Sequence, residues 1–244
     1  MKINNIKYLQ GNLFDHQPTE GRRSMITHVC NDKGGWGKGF VIPLARFMPE
    51  SKEQYQSWHN LGVDGRGVPF QRGQTQFVKG ENGFCVANMV AQTLGTKRPL
   101  FYDSLVFCMS KVAQEIEHNK SRWGEDYEII APLFGSALAG GNWDFIEELI
   151  VDIWSDIDVT VYYLDRSHLT ERLQNLLPPP YMARPDDHQL FVYLPEYGCY
   201  QTYPIKKTVS GEDSLPHTTH TYDLLKRHNF IPVQENELSR YEKS

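Results

Sequence analysis

Apolar runs of five to nine residues alternate with stretches of helical spacing along the first two thirds of the chain. Ile3–Leu9 alternates weakly and predicts a first strand, followed by a turn at Gly11-Asn12-Leu13-Phe14-Asp15. The run from Met25 through Ile26, Thr27, His28 and Val29 to Cys30 is nearly all apolar, the pattern of a buried strand. It stops at Asn31, and four of the next eight residues are glycine: Gly34, Gly35, Gly37 and Gly39. Helical spacing resumes at Phe40–Phe47 and again, with a polar face, over Pro49–Asn60, where Tyr55 and Trp58 share one side as core contacts. Gly62–Arg72 reads as loop. Gln74–Lys79 and Gly83–Val90 read as strands joined by a turn. The apolar run continues to Gln92, and its polar exceptions are Asn88 and Gln92, which face a ligand or bond to neighbouring groups. Pro99–Asn119 is a helix by its apolar stripe of Leu105, Cys108, Met109, Val112 and Ile116. Glu128–Pro132 predicts another strand, Trp143–Ile150 a helix capped by Gly141 or Asn142, and Val159–Leu164 a further strand.

This strand–helix alternation predicts an α/β domain, helices flanking a mixed, largely parallel sheet. Two loops of small residues follow strands and precede helices: Asn31–Phe40, and Leu133–Gly141, which contains Gly135, Ser136, Ala137, Leu138, Ala139 and Gly140. That sheet edge is where open α/β folds bind ligands. Glycine lets a ligand approach the backbone, and free N–H groups at loop-to-helix junctions attract phosphate. Lys38 adds a positive charge. The spacing matches neither a P-loop nor GxGxxG, so a tight connection without a ligand is the competing reading of either loop alone. Two such loops on one edge make a cleft suited to a diphosphate.

The 244 residues suffice for one large domain or an ordinary domain with an appendage, and the 40% hydrophobic and 23% charged fractions are those of a globular chain. A net charge of −5 gives no global basic field, which argues against strong nonspecific nucleic-acid binding. Four cysteines, Cys30, Cys85, Cys108 and Cys199, show no CxxC spacing, so no zinc site and no other metal or cofactor is expected. Their apolar surroundings fit buried thiols of a reducing compartment. No leader-like run or membrane-length apolar stretch occurs, and a cytoplasmic location is expected.

Taken in order, these residues resemble a known family, the macrodomains that bind ADP-ribose. Gly11-Asn12-Leu13-Phe14 is similar to the family's GD(I/L) turn. Asn31 with Trp36-Gly37-Lys38-Gly39-Phe40 resembles the N-x4-(M/W)-G-K-G-(I/F) loop of one branch. Pro132–Trp143, PLFGSALAGGNW, resembles that branch's second loop, and Val159-Thr160-Val161-Tyr162 its closing strand. The branch includes terminal ADP-ribose glycohydrolases, DNA ADP-ribose hydrolase antitoxins and ADP-ribose-1″-phosphate phosphatase-like proteins. The resemblance covers about Ile3–Leu164 and implies a three-layer domain at 1–165. It implies Asn12 at the adenine end, Asn31 and Gly35–Phe40 at the distal ribose and part of the diphosphate, and Gly135–Gly140 donating N–H groups to the phosphates.

Three departures narrow the chemistry. Gln92 stands where the glycohydrolase members carry a nucleophilic lysine, Ala139 where they carry an aspartate, and Ala137 where a glycine is common. An amide cannot form a Schiff-base-type intermediate and an alanine is neither acid nor base, so the lysine-dependent mechanism is not expected. ADP-ribose-1″-phosphate phosphatase or related hydrolase chemistry needs a base near the distal ribose, and His28, which matches a histidine of some phosphatase-like members, and Asp32 are the candidates. A satisfied core histidine is the competing reading. The expected function is therefore binding of ADP-ribose or a close derivative, with an enzyme of the distal ribose or a reader of an ADP-ribosylated macromolecule as alternatives.

The remainder, 166–244, predicts a small α+β appendage. It contains a helix at Ser167–Leu177, a break at Pro178–Pro180, a strand at Leu190–Leu194, a helix at Thr221–Arg227 and a last strand at Phe230–Val233. Tyr197, Tyr200 and Tyr203 form an aromatic cluster. His188, His217, His220 and His228 lack metalloprotease spacing.

Overall fold

A computed structural model describes residues 2–81, 83–179, 181–184, 189–194, 199–202, 222–227, 230–233 and 237–238. They fall into two compact units, one from Lys2 to His168 and one beginning at Leu169.

The first unit is built on a seven-stranded mixed sheet. In chain order its elements are β1 (Lys2–Ile3), β2 (Ile6–Gln10), a 3-10 turn (Leu13–Asp15), β3 (Arg22–Asn31), α1 (Val41–Phe47), α2 (Pro49–Leu61), β4 (Thr75–Lys79) and β5 (Phe84–Gln92). Then come α3 (Tyr102–Trp123), β6 (Asp126–Pro132), a 3-10 turn (Ala137–Ala139), α4 (Trp143–Ile153) and β7 (Val159–Tyr163). The strand order is β1-β2-β7-β6-β3-β5-β4. The five inner strands run parallel, and the two edge strands are antiparallel to their neighbours. The α/β layering expected from the alternation is present.

Side-chain parity divides the core between the two sheet faces. From β3, Ile26, His28 and Cys30 share one face, and their register partners on β5 are Val86, Asn88 and Val90. This face packs with Leu44, Tyr55 and Trp58 of α1 and α2. The opposite face meets α3: the Thr75 hydroxyl donates to the Cys108 carbonyl, and the indole of fully buried Trp154 donates to the Met109 carbonyl at 2.9 Å. Burying such large side chains contributes about 1.5–3 kcal/mol each.

Several boundaries differ from the sequence expectation. The first strand is two short strands, because Asn4 adopts a left-handed φ of 54° and the Asn5 amide donates to the carbonyls of Trp154 and Ile157. α3 begins at Tyr102, not Pro99, because Phe101 N–H bonds back to the Ala91 carbonyl in extended backbone. It runs on to Trp123 and ends at Gly124, whose φ of 67° suits only glycine without strain. Asn142, not Gly141, caps α4, its side chain accepting from Asp144 N–H.

One buried acid ties the sheet's N-terminal edge together. Burial of Glu128 opposes ionisation, but His16, the Thr19 N–H and hydroxyl, and the Ser24 hydroxyl hold its carboxyl down at about 2. A depressed folded pKa contributes stability above the ordinary value and loses it as pH falls through the folded value. Glu128→Gln should therefore lower stability near neutral pH and flatten its decline between about pH 4.5 and about 2, readable by urea unfolding at pH 6 and pH 3.

The second unit holds α5 (Glu171–Leu176), β8 (Tyr181–Arg184), β9 (Gln189–Leu194), β10 (Cys199–Thr202), α6 (Tyr222–Arg227) and β11 (Ile231–Val233), its strands ordered β10-β9-β8-β11, all antiparallel. The helix expected at Ser167–Leu177 is instead a 3-10 turn at Arg166–His168, within the first unit, and α5, because the Thr170 hydroxyl caps a new start by accepting from Leu173 N–H. Met182, Phe191, Tyr200, Leu225 and Phe230 form a small core. Tyr197, Tyr203, His188, His217, His220 and His228 lie outside the described residues.

Candidate functional site

The C-terminal ends of β3, β5 and β6 open into a cleft of about 710 Å³. One wall is the first loop, Gly35 through Val41. The other is the second, Pro132 through Ala139. His28, Val29, Cys30 and Asn31 form the β3 side, and Gln92, Leu94 and Pro99 close the end beyond β5.

Asn31 builds the first loop. Its Oδ1 accepts the N–H groups of Lys33 and Gly35, both at 3.0 Å, and its Nδ2 donates to the Gly35 carbonyl at 2.7 Å. The Tyr55 hydroxyl donates to its main-chain carbonyl, anchoring the loop to α2. The Trp36 indole donates to the Val41 carbonyl, so the loop folds over its own helix start. The backbone N–H groups from Gly37 to Val41 then have no acceptor among the described residues. Phe40 stacks on Phe14 at 5.4 Å between centroids and touches His28 at 5.7 Å.

The second loop is closed by Ala139, Gly140 and Gly141 N–H groups bonding to Ser136, Ala137 and Gly135 carbonyls. Ser136 Oγ donates to the Leu133 carbonyl at 2.6 Å. The N–H groups of Gly135, Ser136, Ala137 and Leu138 have no acceptor among the described residues. Two rows of unengaged backbone donors thus border one cleft, and Lys38 is the one lysine, arginine or acidic residue among its lining residues. This is the chemistry of an anion site. Gly135 has φ 72°, and Ala137, at 47°, bears a side chain in the left-handed region. Ala137→Gly should relieve that strain and stabilise the protein by about 1 kcal/mol, measured by denaturant unfolding.

The remaining sequence candidates are placed as follows. The Gln92 side chain lines the cleft and has no partner among the described residues. Ala139, buried, lines it too, and Gly140 closes the loop behind it. His28 is 2% exposed at the cleft floor. Its Nε2 donates to Asn88 Oδ1 at 2.7 Å, and burial lowers its pKa to about 4, so it is neutral at neutral pH. Asn88 is fully buried and its amide donates to the Ser51 carbonyl and Gln76 Oε1, which places it behind His28 and outside the cleft lining. Asp32 also lies outside that lining. Its carboxylate accepts from the Thr93 hydroxyl at 2.7 Å and faces Arg72 at 3.9 Å. Asn12 caps the 3-10 turn, accepting from Phe14 N–H, and is exposed beyond the lining residues.

The sequence does not single out Leu94 or the ring of Phe14 as neighbours of the first loop, whereas Leu138 is among the second-loop candidates. Side-chain carbons of Leu94 and Leu138 lie 3.3 Å from where a Cβ would sit on Gly35 and Gly39.

No family model matches the chain. A macrodomain protein from Streptomyces coelicolor has a structure similar to 65% of this chain and 98% of its own, at 34% identity and TM-score 0.53. A crystal structure of a protein from Bacteroides thetaiotaomicron matches 64% of this chain and 98% of its own, at 34% identity and TM-score 0.55. Among curated proteins, the ADP-ribose 1″-phosphate phosphatase of Lodderomyces elongisporus is 36% identical over 63 residues, 24% of this chain and 39% of that protein's length. The chain belongs to the macrodomain family.

Proposed function

We propose that the unit from Lys2 to His168 binds ADP-ribose or a close derivative, with the diphosphate between the two loops. The observation that carries this is the pair of unengaged N–H rows bordering one cleft, on the strand edge where such sheets take ligands. The ribose end points to Gln92, whose free amide can donate and accept. The adenine end lies toward the Phe14–Phe40 stack and Asn12. The phosphatase name of the curated relative and the macrodomain membership support the same ligand class.

The reading is of binding rather than lysine-type hydrolysis. The cleft presents an amide at Gln92, an apolar Ala139 and a neutral His28 whose Nε2 is engaged by Asn88. A second reading, phosphate release from ADP-ribose 1″-phosphate, is favoured by the likeness to the curated phosphatase. Incubation with that ester and detection of free phosphate decides between them. The three buried, unbridged thiols Cys30, Cys85 and Cys108 support a reducing, cytoplasmic setting. No helix among the described residues is long and apolar enough to cross a membrane.

A thermal-shift series tests the reading. A ligand present at about a hundred times its Kd stabilises by about 2.7 kcal/mol, which moves the midpoint by several degrees in a protein of this size. ADP-ribose should do so, and AMP, which lacks the second phosphate and distal ribose, should shift far less. Equal shifts from both, or none, would overturn it.

A further inference from the structure

A groove of about 380 Å³ lies at the β4 edge of the sheet and shares no lining residue with the cleft. Its floor is Phe77, with the helical wall from α3 and the opposite wall from the loop between α2 and β4. That volume falls in the range of small-molecule pockets.

The walls are fixed by their own bonds. Arg66 makes a two-point contact with Glu115, 2.9 Å at each nitrogen, and its guanidinium sits 5.8 Å from the Phe77 ring centroid. Asp64 Oδ1 accepts the N–H groups of Arg66 and Val68, both at 2.9 Å. Both acids of the groove are therefore engaged internally. What is left over is of the opposite kind. Lys111, Gln114 and His118 stand on one face of α3 at three- and four-residue spacing, and their side chains have no hydrogen bond or ion pair among the described residues. Unengaged donors thus stand beside the half-buried apolar surfaces of Phe77 and Val68, within walls already ordered.

We infer that this groove is a second ligand site, for a small organic anion whose carboxylate or phosphate is held by Lys111 and His118 and whose apolar body lies on Phe77 and Val68. The loop wall is already held by the Arg66–Glu115 and Asp64 bonds, so the ordering cost on binding falls on the Lys111 and His118 side chains. Arg66 pairs with Glu115 and the Asp64 carboxylate accepts backbone N–H groups, which leaves the Lys111 ammonium, unpaired among the described residues, to favour an acid over a neutral ligand.

Fluorine-observed NMR titration of the intact chain with 4-fluorophenyl phosphate and 4-fluorobenzoate tests this, in the wild type and in Gly37→Glu, where the cleft is filled. At least one probe should bind saturably in both proteins, and the better probe identifies the acid as phosphate or carboxylate. Lys111→Ala and His118→Ala should each weaken that binding about tenfold or more while ADP-ribose affinity stays unchanged. Binding that vanishes in Gly37→Glu would assign the probe to the cleft and overturn the inference. So would the absence of saturable binding, or affinity undiminished in folded Lys111→Ala and His118→Ala.

Discussion

Replacing Gly37 by glutamate is expected to abolish ADP-ribose binding while leaving the fold intact. Gly37 lines the first loop, is exposed, and a Cβ built there meets nothing within 4 Å. Its φ lies outside the left-handed region, so a side chain adds no backbone strain. Surface changes of this kind alter stability by about 0.5 kcal/mol or less. In the complex the new carboxylate would lie beside the diphosphate. Two like unit charges about 4 Å apart at an effective dielectric of about 20 repel by about 4 kcal/mol, enough to weaken binding several hundredfold. Calorimetric titration beside thermal unfolding separates the two effects. Unchanged affinity in a folded variant would remove the diphosphate from this loop.

Gly141→Ala should behave in the opposite manner, damaging the protein before any ligand arrives. A Cβ at Gly141 would stand 2.4 Å from the Gly135 carbonyl oxygen and 2.5 Å from Leu100 Cδ2. The carbonyl cannot yield without breaking the Gly141 N–H to Gly135 bond that closes the loop, and Ile146 blocks the way at 3.2 Å. Overpacking of this kind costs about 1–3 kcal/mol, and the displaced Gly135–Leu138 N–H row would lose its shape. The expected result is a lower unfolding midpoint together with at least about tenfold weaker ADP-ribose binding. A variant of wild-type stability and affinity would show that the loop is not held as described.

Much of this was legible in the chain because period and parity are local properties. The β3 run and the α3 stripe each announce an element, and two small-residue loops after strands announce a cleft edge. What escaped depended on contacts distant in sequence. Asn4 and Asn5 split the first strand because Asn5 bonds to carbonyls about 150 positions away. α3 starts late because Phe101 pairs with Ala91. At the site, alternation could put His28 and Asn88 in buried strands but not show that the register would set them side by side, 2.7 Å apart. The apolar run alone leaves Gln92 open to a ligand or to neighbouring groups. Its position at the cleft end with a free amide follows from the bulge where β3 and β5 shift register at Asn31.

The central claim is that two rows of backbone N–H groups receive the diphosphate. Amide proton NMR of the wild-type chain during titration with ADP-ribose tests it most directly. The account predicts saturable shifts, the largest downfield, at Gly37–Val41 and Gly135–Leu138, as N–H groups gain charged acceptors. Saturable binding that leaves those amides unmoved, or no binding at all, would contradict it.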